Sequence, residues 1–142
     1  EKDNPLAALA LDDLIAETTK PMPKVMIVGE PSLLKLARQD LLPLVGDRAD
    51  LGFSDPFFME ITARGVQKAS SLQVLLGLLN RKEEELMVIG DGLNDVPMFS
   101  IAGLAVAMEN ASDEVKSHAH VLTTSNDEDG VARAIETHIL AK

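Results

Sequence analysis

The sequence predicts an α/β fold: a doubly wound parallel sheet in its second half, with a smaller α+β lobe ahead of it. Three observations predict it. After Val66, short apolar runs at 86–89, 104–107 and 120–123 alternate with segments of helical character, in the order helix, strand, helix, strand, helix, strand, helix. Alternation of that kind is the mark of parallel strands joined by right-handed crossovers. Before Thr62 the pattern differs, with two short strand-like runs around one leucine-rich helix, and Gly65 punctuates the change. The 46% hydrophobic and 25% charged composition is that of a folded globular chain. The expected division is therefore 1–62 for the α+β lobe and 63–142 for the parallel-sheet part.

Taken in order, residues 5–19 carry Leu6, Leu9, Ala10 and Leu14 at helical spacing, and Lys20-Pro21-Met22-Pro23 breaks that helix. Residues 24–28 are a β-branched run and read as a strand. Residues 32–45 repeat leucine at helical spacing and are stopped by Gly46, Asp47 and Arg48. Between 57 and 61, Phe57, Met59 and Ile61 alternate with Phe58 and Glu60, as in a half-buried strand. Beyond Val66, Leu72, Leu75, Leu76 and Leu79 form a stripe at i, i+3, i+4 and i+7. Strands at 86–89, 104–107 and 120–123 follow. A doubly wound sheet binds ligands beyond the carboxyl ends of its strands, which directs attention to the residue after each one.

The first of those places holds Val88-Ile89-Gly90-Asp91-Gly92-Leu93-Asn94-Asp95. Asp91 stands one residue past the apolar run, and the two glycines allow a tight turn with backbone close to a ligand. Asp95 lies one helical turn further on, so both carboxylates can address one point. Converging carboxylates repel unless a cation lies between them, and a hard cation such as magnesium takes a few carboxylates with waters and phosphate oxygens. Asn94 offers neutral donors and an acceptor beside them. The competing reading is that Asp91 or Asn94 caps the next helix.

Gly90 to Asp95, then Pro97-Met98-Phe99, Ala107-Met108 with Asn110-Ala111, Val115-Lys116 with Ala119, and Ser125-Asn126 before Glu128-Asp129-Gly130-Val131 together resemble the C-terminal signature of the Cof-type phosphatases of the haloacid dehalogenase (HAD) superfamily. The resemblance runs from about Lys24 to Ile139 and is strongest from Glu60 onward. It implies a HAD Rossmann-like core with a partial cap at its N-terminal side, and a magnesium-dependent hydrolysis of phosphate monoesters such as sugar phosphates. Carried over, Asp91 ligates magnesium and Asp95 supports that metal site and the chemistry. Asn94 contacts the substrate phosphate. Lys68 matches the lysine that steadies nucleophile and phosphate, offsetting charge during phosphoryl transfer, although Ala69 stands where glycine is usual. Asn126 is expected to make a supporting phosphate contact.

The family's opening Asp-x-Asp-Gly nucleophile motif is not found. Asp127-Glu128-Asp129-Gly130 mimics it, but the preceding Thr123-Thr124-Ser125-Asn126 is not a buried strand. The expectation is thus a chain that begins late in the cap, lacks the attacking aspartate, is inactive alone, and pairs through exposed sheet edges as a homodimer. Rival readings are the phosphorylation domain of a P-type ion pump, a non-catalytic scaffold, and a calcium loop over Ser125, Asp127, Asp129, Gly130 and Glu136, which starts on serine rather than aspartate.

The net charge of −10 disfavours nucleic acid as a partner. No apolar run approaches membrane-spanning length, so no membrane partner is expected. Cysteine is absent, which fits a cytoplasmic setting. His118, His120 and His138 are not grouped with the carboxylates at ligand spacing.

Overall fold

A computed structural model describes residues 22–141; the helix expected at 5–19 lies outside them. Two three-stranded sheets organise the chain. The first is antiparallel, built from β1 (Lys24–Val28), β2 (Ala49–Asp55) and β3 (Phe58–Ala63) in the order β1-β3-β2, with helix α1 (Pro31–Val45) connecting β1 to β2. Pro31 opens α1 at a position where proline's fixed φ is already helical. Gly46, at φ +53°, takes the left-handed turn that ends it.

Side-chain alternation gives this sheet two unlike faces. Ile27, Leu51, Phe53, Met59 and Ile61 project toward α1 and meet Leu34, Ala37, Leu41 and Val45. Met59 is completely buried there, with Leu34 and Leu51 nearly so. Arg38 on α1 donates through Nε to the Leu51 carbonyl at 3.2 Å, tying helix to sheet. Strand β2 is absent from the sequence expectation, because Gly52 and the flanking aspartates interrupt its apolar pattern. Phe57, expected on the inner face with Met59, instead lies in the β2–β3 turn and is exposed; its N–H donates to Asp55 Oδ1 at 2.9 Å.

The second sheet is parallel, as its alternating pattern predicts: β4 (Met87–Gly90), β5 (Leu104–Ala107) and β6 (Val121–Leu122) in the order β4-β5-β6. Helix α2 (Lys68–Leu79) precedes β4. The crossovers carry only one-turn helices, α3 (Val96–Phe99) and α4 (Asp113–Lys116), and α5 (Gly130–Ile135) follows β6, running into a π-helical turn over Glu136–Leu140. Val88, Met98, Phe99, Ala105, Ala107, Ala111 and Val115 build the core of this sheet with Ala69 from α2. The leucine stripe of α2 is only partly inward: Leu76 is buried and Leu72 half-buried, whereas Leu75 and Leu79 are 48% and 60% exposed. With Val74 and Leu78 also apolar, nearly the whole circumference of the helix is hydrophobic, so periodicity could not single out its inner face. No helix among the described residues is long and apolar enough to cross a membrane.

Met59→Ala is expected to destabilise the protein by about 2–5 kcal/mol through the cavity it leaves. Leu78→Ala, at a position 80% exposed, should stay within roughly 0.5 kcal/mol of the parent. Urea unfolding of the two variants checks both.

Candidate functional site

Strand β4 delivers the chain to the rim of the parallel sheet at Gly90, and the loop beyond it curls around one carboxylate. A 3₁₀ turn over Leu93–Asp95 leads into α3 and places Asp95 beneath the loop, where it is 4% exposed. Its Oδ2 accepts from the backbone N–H groups of Asp91 (3.0 Å) and Gly92 (3.1 Å). Its Oδ1 accepts from the Nζ of Lys68, the first residue of α2. Both oxygens of a buried anion are therefore engaged, by two backbone dipoles and one ammonium. Gly90 is required by this fold-back: a Cβ there would stand 2.6 Å from Asp95 Cβ and Oδ2.

Asp91 is exposed at the rim. Its Oδ2 accepts from Asn110 Nδ2 at 2.9 Å, and its Oδ1 accepts no hydrogen bond among the described residues. Asn110 in turn accepts, through Oδ1, the backbone N–H of Asn126 at 3.0 Å. Asn126 thus reaches the site through Asn110, while its own side chain donates to Asp127 at 3.3 Å. Asn94 is half-buried, and its side chain makes no hydrogen bond among the described residues. Neither Asp91 nor Asn94 caps a helix; Asp95 occupies the residue before α3, and its carboxylate turns back to the loop instead. Capping by Asp91 or Asn94 is therefore not seen; it is Asp95 that accepts the N–H of Gly92 at the start of the 3₁₀ turn.

Of the positions expected from the sequence, Lys68, Asp91, Asn94 and Asp95 come together, with Asn126 one residue removed. Asn110 was present in the quoted motif without a role; the pairing of residue 110 with residue 91 is a tertiary contact that spacing alone does not reveal. Ser125, Asp127, Asp129 and Glu136 do not converge as a calcium cage: among the described residues no three His, Asp or Glu side chains gather around one point. His120 is engaged elsewhere, accepting the Ala105 N–H through Nδ1 at 2.9 Å.

Two residues of the site, Lys68 and Asn94, border a groove of about 1220 Å³ between the two sheets. Lys68, Asn94, Leu93, Pro97 and Met98 line one side of it, and Lys24, Gly52, Ser54 and Glu60 of the antiparallel sheet line the other. Strand β2 lies directly against the Leu93–Asp95 turn.

Replacing Asp95 by asparagine sets an amide donor against either Lys68 or the two loop N–H groups. An unsatisfied buried donor costs roughly 1–3 kcal/mol, so Asp95→Asn is expected to lower the thermal midpoint measurably. Gly90→Ala should do likewise by pushing Asp95 out of place, and calorimetry of the two variants reads both effects.

The fold and the loop have recognisable relatives. A family model described as haloacid dehalogenase-like hydrolase matches residues 6–135. Putative phosphatase YxeH of Bacillus subtilis is 39% identical over 121 residues, covering 85% of this chain and 45% of the relative. The 5-amino-6-(5-phospho-D-ribitylamino)uracil phosphatase YcsE of the same organism is 45% identical over 87 residues, 61% of this chain and 35% of its own length. The crystal structure of a haloacid dehalogenase-like hydrolase from Bacteroides thetaiotaomicron superposes with a TM-score of 0.78 at 40% identity, covering 89% of this chain and 47% of that one. The chain spans less than half the length of each of these proteins. A parallel sheet with an acidic loop at its rim and a match over most of the chain lead to one conclusion: this chain belongs to the haloacid dehalogenase-like hydrolases.

Proposed function

We propose that this chain supplies the metal-binding, lysine-bearing and substrate-selecting part of a magnesium-dependent phosphoric monoester hydrolase acting on sugar phosphates or similar small metabolites. The observation that carries this reading is the Lys68–Asp95–loop lattice at the carboxyl end of β4, beside a groove that Lys68 and Asn94 border and that is large enough for a phosphorylated metabolite. In this reading residues 63–142 belong to the core, residues 1–62 to the cap, and the attacking aspartate to a segment outside these 142 residues. The protein works in the cytoplasm, in keeping with its lack of cysteine. The two Bacillus subtilis relatives carry phosphatase names, which favours hydrolysis over the ion-pump reading.

The donor set fits magnesium. Asp91 Oδ1 accepts no hydrogen bond among the described residues, and magnesium needs only one or two carboxylates beside water and phosphate oxygens. Asp91 would hold the ion directly. Asp95, with both oxygens already engaged, would act on it only through the loop and through Lys68. When bound, the ion would offset charge on the phosphoryl oxygens. Lys68, whose ammonium pairs with Asp95 beneath the same loop, would add to that charge compensation during transfer to and from the aspartate. Asn94 donates its amide to a phosphate oxygen. Asn126 supports the phosphate site by way of Asn110, which also fixes the orientation of Asp91.

A non-catalytic scaffold is the reading to separate from this one. Magnesium binding, followed by competition with Mn²⁺ in electron paramagnetic resonance, is expected for the parent and weakened roughly tenfold or more in Asp91→Ala. A scaffold that had lost the chemistry altogether would show equal binding in both. The 142 residues alone are expected not to hydrolyse p-nitrophenyl phosphate with or without magnesium. Magnesium-dependent turnover lost in Asp91→Ala would put the nucleophile inside this chain.

Self-association is part of the proposal. Strand β4 stands at an edge of the parallel sheet, and α2 exposes Leu75, Leu78 and Leu79. Sedimentation velocity is expected to show a dimer at micromolar concentration; a strictly monomeric boundary would contradict pairing.

A further inference from the structure

Strand β6 is fastened to its neighbour by a side chain as well as by backbone. It contributes only Val121 and Leu122 to the parallel ladder and stands at the edge of the sheet. Just ahead of it, His120 and Ala105 of β5 make a two-way contact. The Ala105 carbonyl accepts the His120 N–H at 2.9 Å, and the Ala105 N–H donates to His120 Nδ1, also at 2.9 Å. An imidazole nitrogen thus stands where the carbonyl of a neighbouring strand would complete the ladder.

This contact fixes the state of the ring. Nδ1 accepts a hydrogen bond only when it carries no proton, so the imidazole is neutral with its hydrogen on Nε2. Ala105 is completely buried, and a buried N–H has to be met. A proton on Nδ1 would set one N–H against another and leave Ala105 without its acceptor. His120 itself is exposed, so water can deliver the proton and hydrate the imidazolium once the ring swings out. Strand β5 brings no charged residue to hold the ring back. The surrounding segments carry Glu83–Glu85, whose turn accepts the Gly103 N–H, Asp113, Glu114 and Lys116 of α4, His118 upstream, and Arg133, Glu136 and His138 after β6. Among the described residues none of these forms an ion pair with His120.

Strand β6 also leads to the rim. The Thr123 N–H donates to the Ala107 carbonyl at 3.0 Å, and three residues on, the Asn126 N–H is held by Asn110 Oδ1. The other end of the Asn110 amide holds Asp91. We propose that His120 is a pH-sensitive fastening of β6. Neutral, it holds the start of the strand on β5; protonated, it lets go, and the loop at Asn126 that steadies Asn110 and Asp91 loosens with it. The device stands on these contacts alone, whatever ion or ligand Asp91 takes.

The test follows the ring nitrogen shifts of His120 and the amide hydrogen exchange of the isotopically labelled 142-residue chain, at about pH 7.5 and about pH 5, either side of ordinary imidazole titration. Exchange is expressed as protection factors, so that the intrinsic effect of pH on exchange drops out. As the ring takes up its proton, protection of the Ala105 amide is expected to fall roughly tenfold, the scale of one buried hydrogen bond. Protection at Asn126 should fall with it, while amides of the antiparallel sheet hold theirs. His120→Asn keeps an acceptor oxygen near the place of Nδ1 and cannot titrate, so Ala105 should stay protected at both pH values. His120→Leu offers no acceptor and should leave Ala105 weakly protected at both. A ring that titrates while Ala105 protection holds, a ring that stays neutral at the lower pH, or a pH response that survives in His120→Asn would each overturn the fastening. A loss confined to Ala105 would overturn its reach to the rim. The parent chain alone decides the first two outcomes if a variant fails to fold.

Discussion

A single carboxylate, that of Asp95, organises the rim of the parallel sheet. It is almost wholly buried, and a buried anion is tolerated only when its lone pairs are met. Lys68 meets one oxygen and the loop N–H groups of Asp91 and Gly92 meet the other, so the charge fastens the start of α2 to the turn after β4 across 27 residues of sequence. The same contact sets where Asp91 can point. Gly90 follows as a steric necessity, since any side chain there would occupy the volume of the Asp95 carboxylate. A second contact extends the arrangement: Asn110 grips Asp91 with its amide nitrogen and the Asn126 backbone with its amide oxygen, joining the loops after β4, β5 and β6.

Much of this was legible in the sequence, and the exceptions have physical causes. The loop from Gly90 to Asp95 announces itself because glycine, aspartate and asparagine follow an apolar strand at a spacing that few other structures need. The three parallel strands were found because buried strands read as short apolar runs between loops. Strand β2 was not, because Gly52 interrupts its apolar pattern and aspartates flank it. The inner face of α2 was misjudged because apolar residues surround the helix. Asn110 illustrates a further limit. Its partner is nineteen residues away, and an asparagine gives no local sign of which carboxylate it will hold.

Acidity, too, has a local meaning that composition alone did not disclose. The chain carries 23 acidic and 13 basic residues, yet Lys24 and Lys68 both line the same groove, one from each sheet. Net charge therefore says little about this groove, where each ammonium is paired with a carboxylate, Lys24 with Glu60 and Lys68 with Asp95.

The two-faced antiparallel sheet has a consequence for how such a protein can change. Along each of its strands, alternate positions answer to different demands: one set fills space against α1, and the other lines the groove, joined by polar contacts such as Lys24–Glu60 and Ser54–Glu60. Exchanges in the second set leave the apolar packing against α1 intact and alter the wall of the groove instead. Variation can therefore accumulate there one residue at a time, without the compensating substitutions that a packed interior would demand. The period of two in a β-strand thus keeps changes in the groove wall separate from changes in the packed interior.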